Sequence, residues 1–143
     1  MMSVRCELRV LLTALFLLIA AALYGQEILI FGGLDHDEFL GCATCSRHDA
    51  HSIWNKFGTY GSKFSESSIW NDFSVWGSPF SDTSVFNSFA RNPPVLVDRQ
   101  GNFYGYFTVN EAFRDRTQSD FLRWISESKE IVLDNFDVIA AEF

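Results

Sequence analysis

The chain has 143 residues, a formal net charge of −7 and 16% aromatic residues, 15 of them Phe. An acidic chain without basic clusters argues against nucleic acid and anionic membrane surfaces as partners. Its length, once an N-terminal segment is set aside, suits one domain and is too short for two.

Residues 1–25 predict a cleavable secretory signal. Arg5 and Arg9 open it, Val10 to Leu23 is apolar but for one Thr, and Ala20, Ala21, Ala22 and Gly25 supply small residues for cleavage. The apolar run of about 14 residues falls short of the roughly 20 that a spanning helix needs. The expectation is an exported product, periplasmic or secreted and free of the membrane, whose residues 26–143 form a single small domain. Cys6 leaves with the signal.

Glu27-Ile28-Leu29-Ile30-Phe31 reads as a strand, Gly32-Gly33 and Asp35-His36-Asp37 as a turn, and Phe39-Leu40-Gly41-Cys42-Ala43-Thr44 as the returning arm. The arm leads into Cys42-Ala43-Thr44-Cys45, the sharpest local motif. In an exported protein two such thiols form a disulfide or a redox pair. Three residues of strand span about 10 Å, too far for a disulfide's Cα separation of about 4.4–6.8 Å, so the arm must turn at Cys42 for the bond to close. His48 and His51 continue the spacing of three, and Cys42, Cys45, His48 and His51 are the ligand types zinc prefers. The bland alternative makes this stretch a degenerate first repeat, with His48 in a packing slot. The expected cofactor is none, with zinc as the alternative. The acidic groups Asp35/Asp37/Glu38 and Asp115/Asp120 read as local caps.

Repeats with a period of 16 residues fill the region of about 46–92. Ser52-Ile53-Trp54-Asn55 returns as Ser68-Ile69-Trp70-Asn71 and Ser84-Val85-Phe86-Asn87, and a Phe follows each Asn by two, at Phe57, Phe73 and Phe89. Tyr60-Gly61-Ser62-Lys63-Phe64-Ser65 returns as Trp76-Gly77-Ser78-Pro79-Phe80-Ser81. Ser and Asn at this density favour turns over ladders, and Gly61 and Gly77 suggest backbone conformations closed to other residues. Such units cannot bury their apolar side alone and must stack. Trp54 and Trp70 read as core. Tyr60 and Trp76, with polar tips beside a Gly, are the candidate ligand-binding residues for a protein or carbohydrate surface.

Pro94-Val95-Leu96-Val97-Asp98, the turn Gln100-Gly101-Asn102 and Phe103-Tyr104-Gly105-Tyr106-Phe107-Thr108 predict a second hairpin over 94–109, sharing Phe-(Leu/Tyr)-Gly-x-x-Thr with the first. Residues 111–139 predict a helix capped by Asn110 or Ser119, with Phe121, Leu122, Ile125, Val132 and Phe136 at helical spacing. The fold class is therefore α+β. Two β-hairpins form a small antiparallel sheet, turn-rich aromatic repeats are inserted between them, and a C-terminal helix covers one face of the sheet.

The repeat block resembles a group of bacterial exported proteins that carry tandem Tyr-Gly-Ser-x-(Tyr/Phe)-Ser-x-x-Ser-Ile-x-Asn units and then a Pro-Pro-x-(Ile/Leu)-x-Asp-x-x-Gly-Asn segment, here Pro93 to Asn102. The resemblance spans about residues 38–110 and implies a bacterial exported origin. It supplies no catalytic residue. The function expected from the chain is thus a non-enzymatic binding or structural module. The alternative is a thiol/disulfide or zinc-binding protein centred on Cys42 and Cys45.

Overall fold

The structure, a computed structural model, describes residues 25–143. The signal predicted over 1–25 therefore lies, but for Gly25, outside the described residues. Four short strands form one antiparallel sheet: β1 (Leu29–Gly32), β2 (Glu38–Cys42), β3 (Val95–Val97) and β4 (Phe103–Tyr106), in the order β2-β1-β3-β4. The two hairpins meet through β1 and β3, where Ile30 faces Leu96. Both of these residues are fully buried.

The likeness of the two hairpins extends beyond their shared motif. Gly41 and Gly105 take φ of 110° and 100°, a region that suits only glycine. A Cβ on Gly41 would lie 3.0 Å from the His51 carbonyl oxygen, and one on Gly105 would lie 2.6 Å from Thr117 Cα. In both hairpins the chain returns ten residues later to cover the sheet edge. The Cys42 N–H donates to the His51 carbonyl and the Ile53 N–H to that of Cys42. The Tyr106 N–H donates likewise to Asp115, and the Thr117 N–H to Tyr106. The returning chain thus bonds to the last residue of each edge strand, Cys42 and Tyr106.

Between the hairpins the backbone is neither helix nor strand, and its polar groups are satisfied in steps of three. The carbonyl of each corner residue accepts the N–H three residues on: Ser52 from Asn55, Asn55 from Gly58, Ser62 from Ser65, Ser65 from Ser68. One step per unit is four residues long, Gly58 to Ser62 and Ser74 to Ser78. The corner side chain accepts the N–H two residues on, as Ser52 does from Trp54, Asn55 from Phe57 and Ser62 from Phe64. The next unit repeats this at Ser68, Asn71 and Ser78. This is why Ser or Asn recurs every third residue: each supplies the acceptor that a ladder would otherwise give. The segment before Ser52 follows the same rule, with Ser46 accepting from His48 and Asp49 from His51. It is therefore a partial first unit.

Gly61 and Gly77 have a different role from the one the sequence suggested. Neither has a positive φ. Each sits in the four-residue step, where a Cβ would lie 2.1 Å from the Asn55 carbonyl oxygen or 2.3 Å from that of Asn71. The requirement is close backbone approach, not unusual dihedral angles.

The core runs from the sheet through the stack. Ile53, Ile69 and Val85 are fully buried in successive coils, and Trp54 and Trp70 are 1% exposed. The Trp54 indole N–H donates to the Ala43 carbonyl at 2.9 Å, and that of Trp70 to Ile53 at 2.7 Å. Each tryptophan thus reaches back to the preceding turn. The rings of Trp54, Trp70 and Phe86 follow one another at 5.6 and 6.0 Å.

Three short helices close this row: α1 (Asp120–Glu127), α2 (Lys129–Asp134) and α3 (Phe136–Ala140). Two expectations are corrected here. Residues 111–119 are not helical, because Asn110 opens a turn of the repeat kind, accepting the Ala112 N–H on its side chain and the Phe113 N–H on its carbonyl. Ser119 caps the first helix instead. The helical segment covers the aromatic row rather than the sheet: Phe143 stacks on Trp54 at 5.0 Å, and Phe136 lies 5.7 Å from Trp54 and 5.8 Å from Trp70.

Candidate functional site

The triplet rule decides which aromatic side chains reach solvent. One triplet per coil, Ser-(Ile/Val)-(Trp/Phe), faces the core. The other triplets that carry Phe face outward, and the stretch that carries Tyr60 or Trp76 faces the first hairpin. Phe57, Phe73 and Phe89 are 89, 99 and 84% exposed, and Phe64 and Phe80 are 83 and 90% exposed. Equivalent residues of stacked coils form rows, so these five make two parallel rows on the outside of the repeats. The slot of Phe64 and Phe80, expected to be a packing position, is a surface position; His48, its counterpart in the partial unit, is exposed as well.

The rows border an open cleft of about 1130 Å³, lined by Phe57, Phe64 and Phe73 on one side and by Leu133, Phe136 and Asp137 on the other. Lys56 and Lys63 lay their ammonium groups 5.5 Å from the rings of Phe57 and Phe64, a favourable electrostatic placement over an aromatic face. Lys56 also bridges to Asp137 at 2.7 Å. Solvent-facing phenylalanine thus recurs at equivalent positions of successive coils, and clustered exposed apolar side chains of this kind mark interaction surfaces. The fold does not demand it, since the corners are satisfied by Ser and Asn.

Tyr60 and Trp76, the residues singled out from the sequence, occupy a different side of the coil. Both are half-buried against the first hairpin. The Tyr60 ring lies 5.0 Å from that of Phe39 and 6.3 Å from His51. Trp76 packs onto Gly32 so closely that a Cβ there would come within 2.7 Å of the indole. They pack the stack against β1 and β2 and stay partly exposed.

Cys42 and Cys45 are joined to each other, with Cα atoms 5.5 Å apart, within the range the bond requires. The arm does turn, as the geometry demanded: β2 ends at Cys42, and the chain bends into the Ser46 corner. Cys42 is fully buried and Cys45 is 8% exposed. His48 and His51 do not join them. The His51 ring turns to Asp49 and Phe39, and among the described residues no group of three His, Cys, Asp or Glu side chains is placed to hold a metal ion.

Among the described residues, Asp98 is the one buried carboxylate, and it has a dense set of donors. It is 2% exposed and accepts from the Gln100 and Asn102 N–H groups, the Asn102 and Gln26 side-chain amides and the Tyr104 hydroxyl. Burial works against its ionisation, but the hydrogen bonds from Asn102, Tyr104 and Gln100 outweigh it and hold the carboxyl below the usual range. This Asp fixes the β3–β4 turn and the start of the described chain.

The exposed Phe rows are what the sequence reading missed. The signal was present: the residue before Phe57, Phe64 and Phe73 is Lys, Lys and Asp, whereas the residue before Trp54 and Trp70 is Ile. Neighbours within one turn triplet share a side. No helix of the described residues is long and apolar enough to cross a membrane. No family model, curated protein or solved structure matches the chain.

Proposed function

We propose that this is an exported, non-enzymatic binding module that works through the outer face of its repeats. The observation that carries the reading is the recurrence of fully solvent-facing phenylalanine in coils whose backbone needs none. A protein surface suits this face better than a carbohydrate. Phenylalanine has no polar tip to meet sugar hydroxyls, and the Tyr and Trp that have one are engaged against the first hairpin. The polar side chains that would suggest chemistry have structural partners: Ser and Asn hold corners, Asp98 holds a turn, and Cys42 and Cys45 hold the junction of sheet and stack. The thiol alternative gains little from a disulfide this well buried, since exchange needs an accessible sulfur. Export is supported by the signal-like N-terminus and by a disulfide suited to an oxidising compartment.

The test pairs two measurements. N-terminal sequencing of the exported protein should begin near Gln26. Titration with an apolar surface dye should show saturable binding that Phe64→Ser/Phe73→Ser reduces at least fivefold with an unchanged far-UV spectrum. Equal dye binding by that variant would remove the Phe face as a binding surface.

A further inference from the structure

We infer that the cleft beside the Phe rows takes a basic, apolar segment of a partner protein, one that carries arginine or lysine among aliphatic or aromatic side chains. This rests on the binding-face reading and names the partner's chemistry. The first support is charge. Of the charged side chains that line the cleft, Lys56 is paired with Asp137, and Asp72 with Lys129. What is left is Lys63 against Glu66, Glu130 and Asp134. All four are exposed, and none has an ion-pair partner among the described residues. The carboxylates come from both sides. Glu66 belongs to the repeats, and Glu130 and Asp134 stand four apart on α2. Like charges at that helical spacing repel each other, and a cation entering the cleft relieves the repulsion.

The second support is the state of the rings. Phe57 and Phe64 each have a lysine 5.5 Å from the ring centre. Phe73 follows Asp72 instead, is 99% exposed, and among the described residues has no cation over it. A guanidinium laid on Phe73 meets an uncovered aromatic face in the same cleft as the free carboxylates.

The third support is form. The cleft, open and of about 1130 Å³, exceeds the roughly 300–1,000 Å³ of a small-ligand pocket. An extended segment sends successive side chains to opposite sides. It can set aliphatic groups on the phenylalanines while its basic groups reach the α2 carboxylates. A second copy of this chain, of net charge −7, would bring the same excess of carboxylates to the contact.

Fluorescence anisotropy with labelled synthetic peptides tests this. A short peptide alternating Arg and Leu should bind saturably, and less tightly as salt rises. Changing its Leu to Ser, or its Arg to Glu, should each weaken binding about tenfold or more. On the protein, Glu66→Gln/Glu130→Gln/Asp134→Asn should weaken the Arg–Leu peptide about tenfold and flatten its salt dependence. The same variant should take up an uncharged apolar dye as before, which shows that the face is intact. Phe73→Ser should weaken peptide and dye together. Unchanged peptide binding by the neutralised variant overturns the inference. So does an Arg–Ser peptide, or spermine, that binds as tightly as the Arg–Leu peptide, since the site would then need charge alone. A dimer in sedimentation velocity that Phe73→Ser dissociates and the peptide does not would also overturn it, in favour of a second copy. Dye binding that still depends on Phe64 and Phe73 in any of these cases leaves the binding face standing with a different partner. Loss of Phe-dependent binding of both peptide and dye sinks the two readings together.

Discussion

Asn at the second corner of each coil both accepts and donates. Asn71 Oδ1 takes the Phe73 N–H at 3.0 Å, and its Nδ2 gives to the Ser65 carbonyl at 3.0 Å. Asn55 and Asn87 repeat the pair with Asp49 and Ser81. A Ser at that position has the acceptor but not the reach. Asn71→Asp keeps the acceptor and sets a carboxylate against a carbonyl in a buried place, so a loss of about 1–3 kcal/mol is expected, read by chemical denaturation. Asp98 makes a prediction in pH. Its folded carboxyl titrates below the unfolded value of about 3.9, so its stabilisation is complete at neutral pH and is lost as pH falls through the lowered folded value. Asp98→Asn should lower the melting temperature at pH 7, and the gap from wild type should close in strong acid. A gap that stays constant with pH would show that Asp98 acts without its charge.

At the level of elements, the helices are tied to the repeats by a few specific contacts. The Lys129 side chain, 10% exposed, reaches Asp72 at 2.5 Å and the Gly77 carbonyl at 2.8 Å, and stands 4.5 Å over the Phe86 ring. Asp72 is 56% exposed, so the pair itself is weak, but removing the buried Lys129 also loses the packing of its stem and its bond to the Gly77 carbonyl. Lys129→Ala should therefore lower the melting temperature by about 5–10 °C, with weak salt dependence. Lys56→Ala, on the exposed pair with Asp137, should shift it by about 2 °C or less. The elements themselves were unevenly legible. Both hairpins follow from short apolar runs broken by turn residues, and the stacked units follow from the 16-residue period. The start of α1 was left between Asn110 and Ser119, and the helical segment was begun too early at 111, because Asn110 is a good helix cap and an equally good turn corner; only its likeness to Ser46, which follows the first hairpin, separates the two. The exposure of Phe64 was missed because its slot was read as a packing position, although Lys63 beside it marks an outward triplet; the corner bonds explain why the two share a side.

Across the whole molecule, the stack is clamped at both ends. Its first coil bonds to β2 through Cys42 and Ile53, and its last bonds beyond β4, where the Val109 N–H donates to the Val85 carbonyl at 2.9 Å. The Asn110 amide adds a bond to Ala90. Since β1 and β3 are paired directly, the two clamps stand a fixed number of strands apart. An open array gains stability with each added repeat, but this one should lose it. Duplicating residues 68–83 in frame is expected to lower the unfolding midpoint, and a rise would show that the clamps yield. Tandem sequence is prone to gain or drop whole copies by slippage, yet here the sheet acts as a gauge. A chain with the wrong tally of coils cannot seat both ends, and the length of its phenylalanine rows is held constant by strands that never touch them.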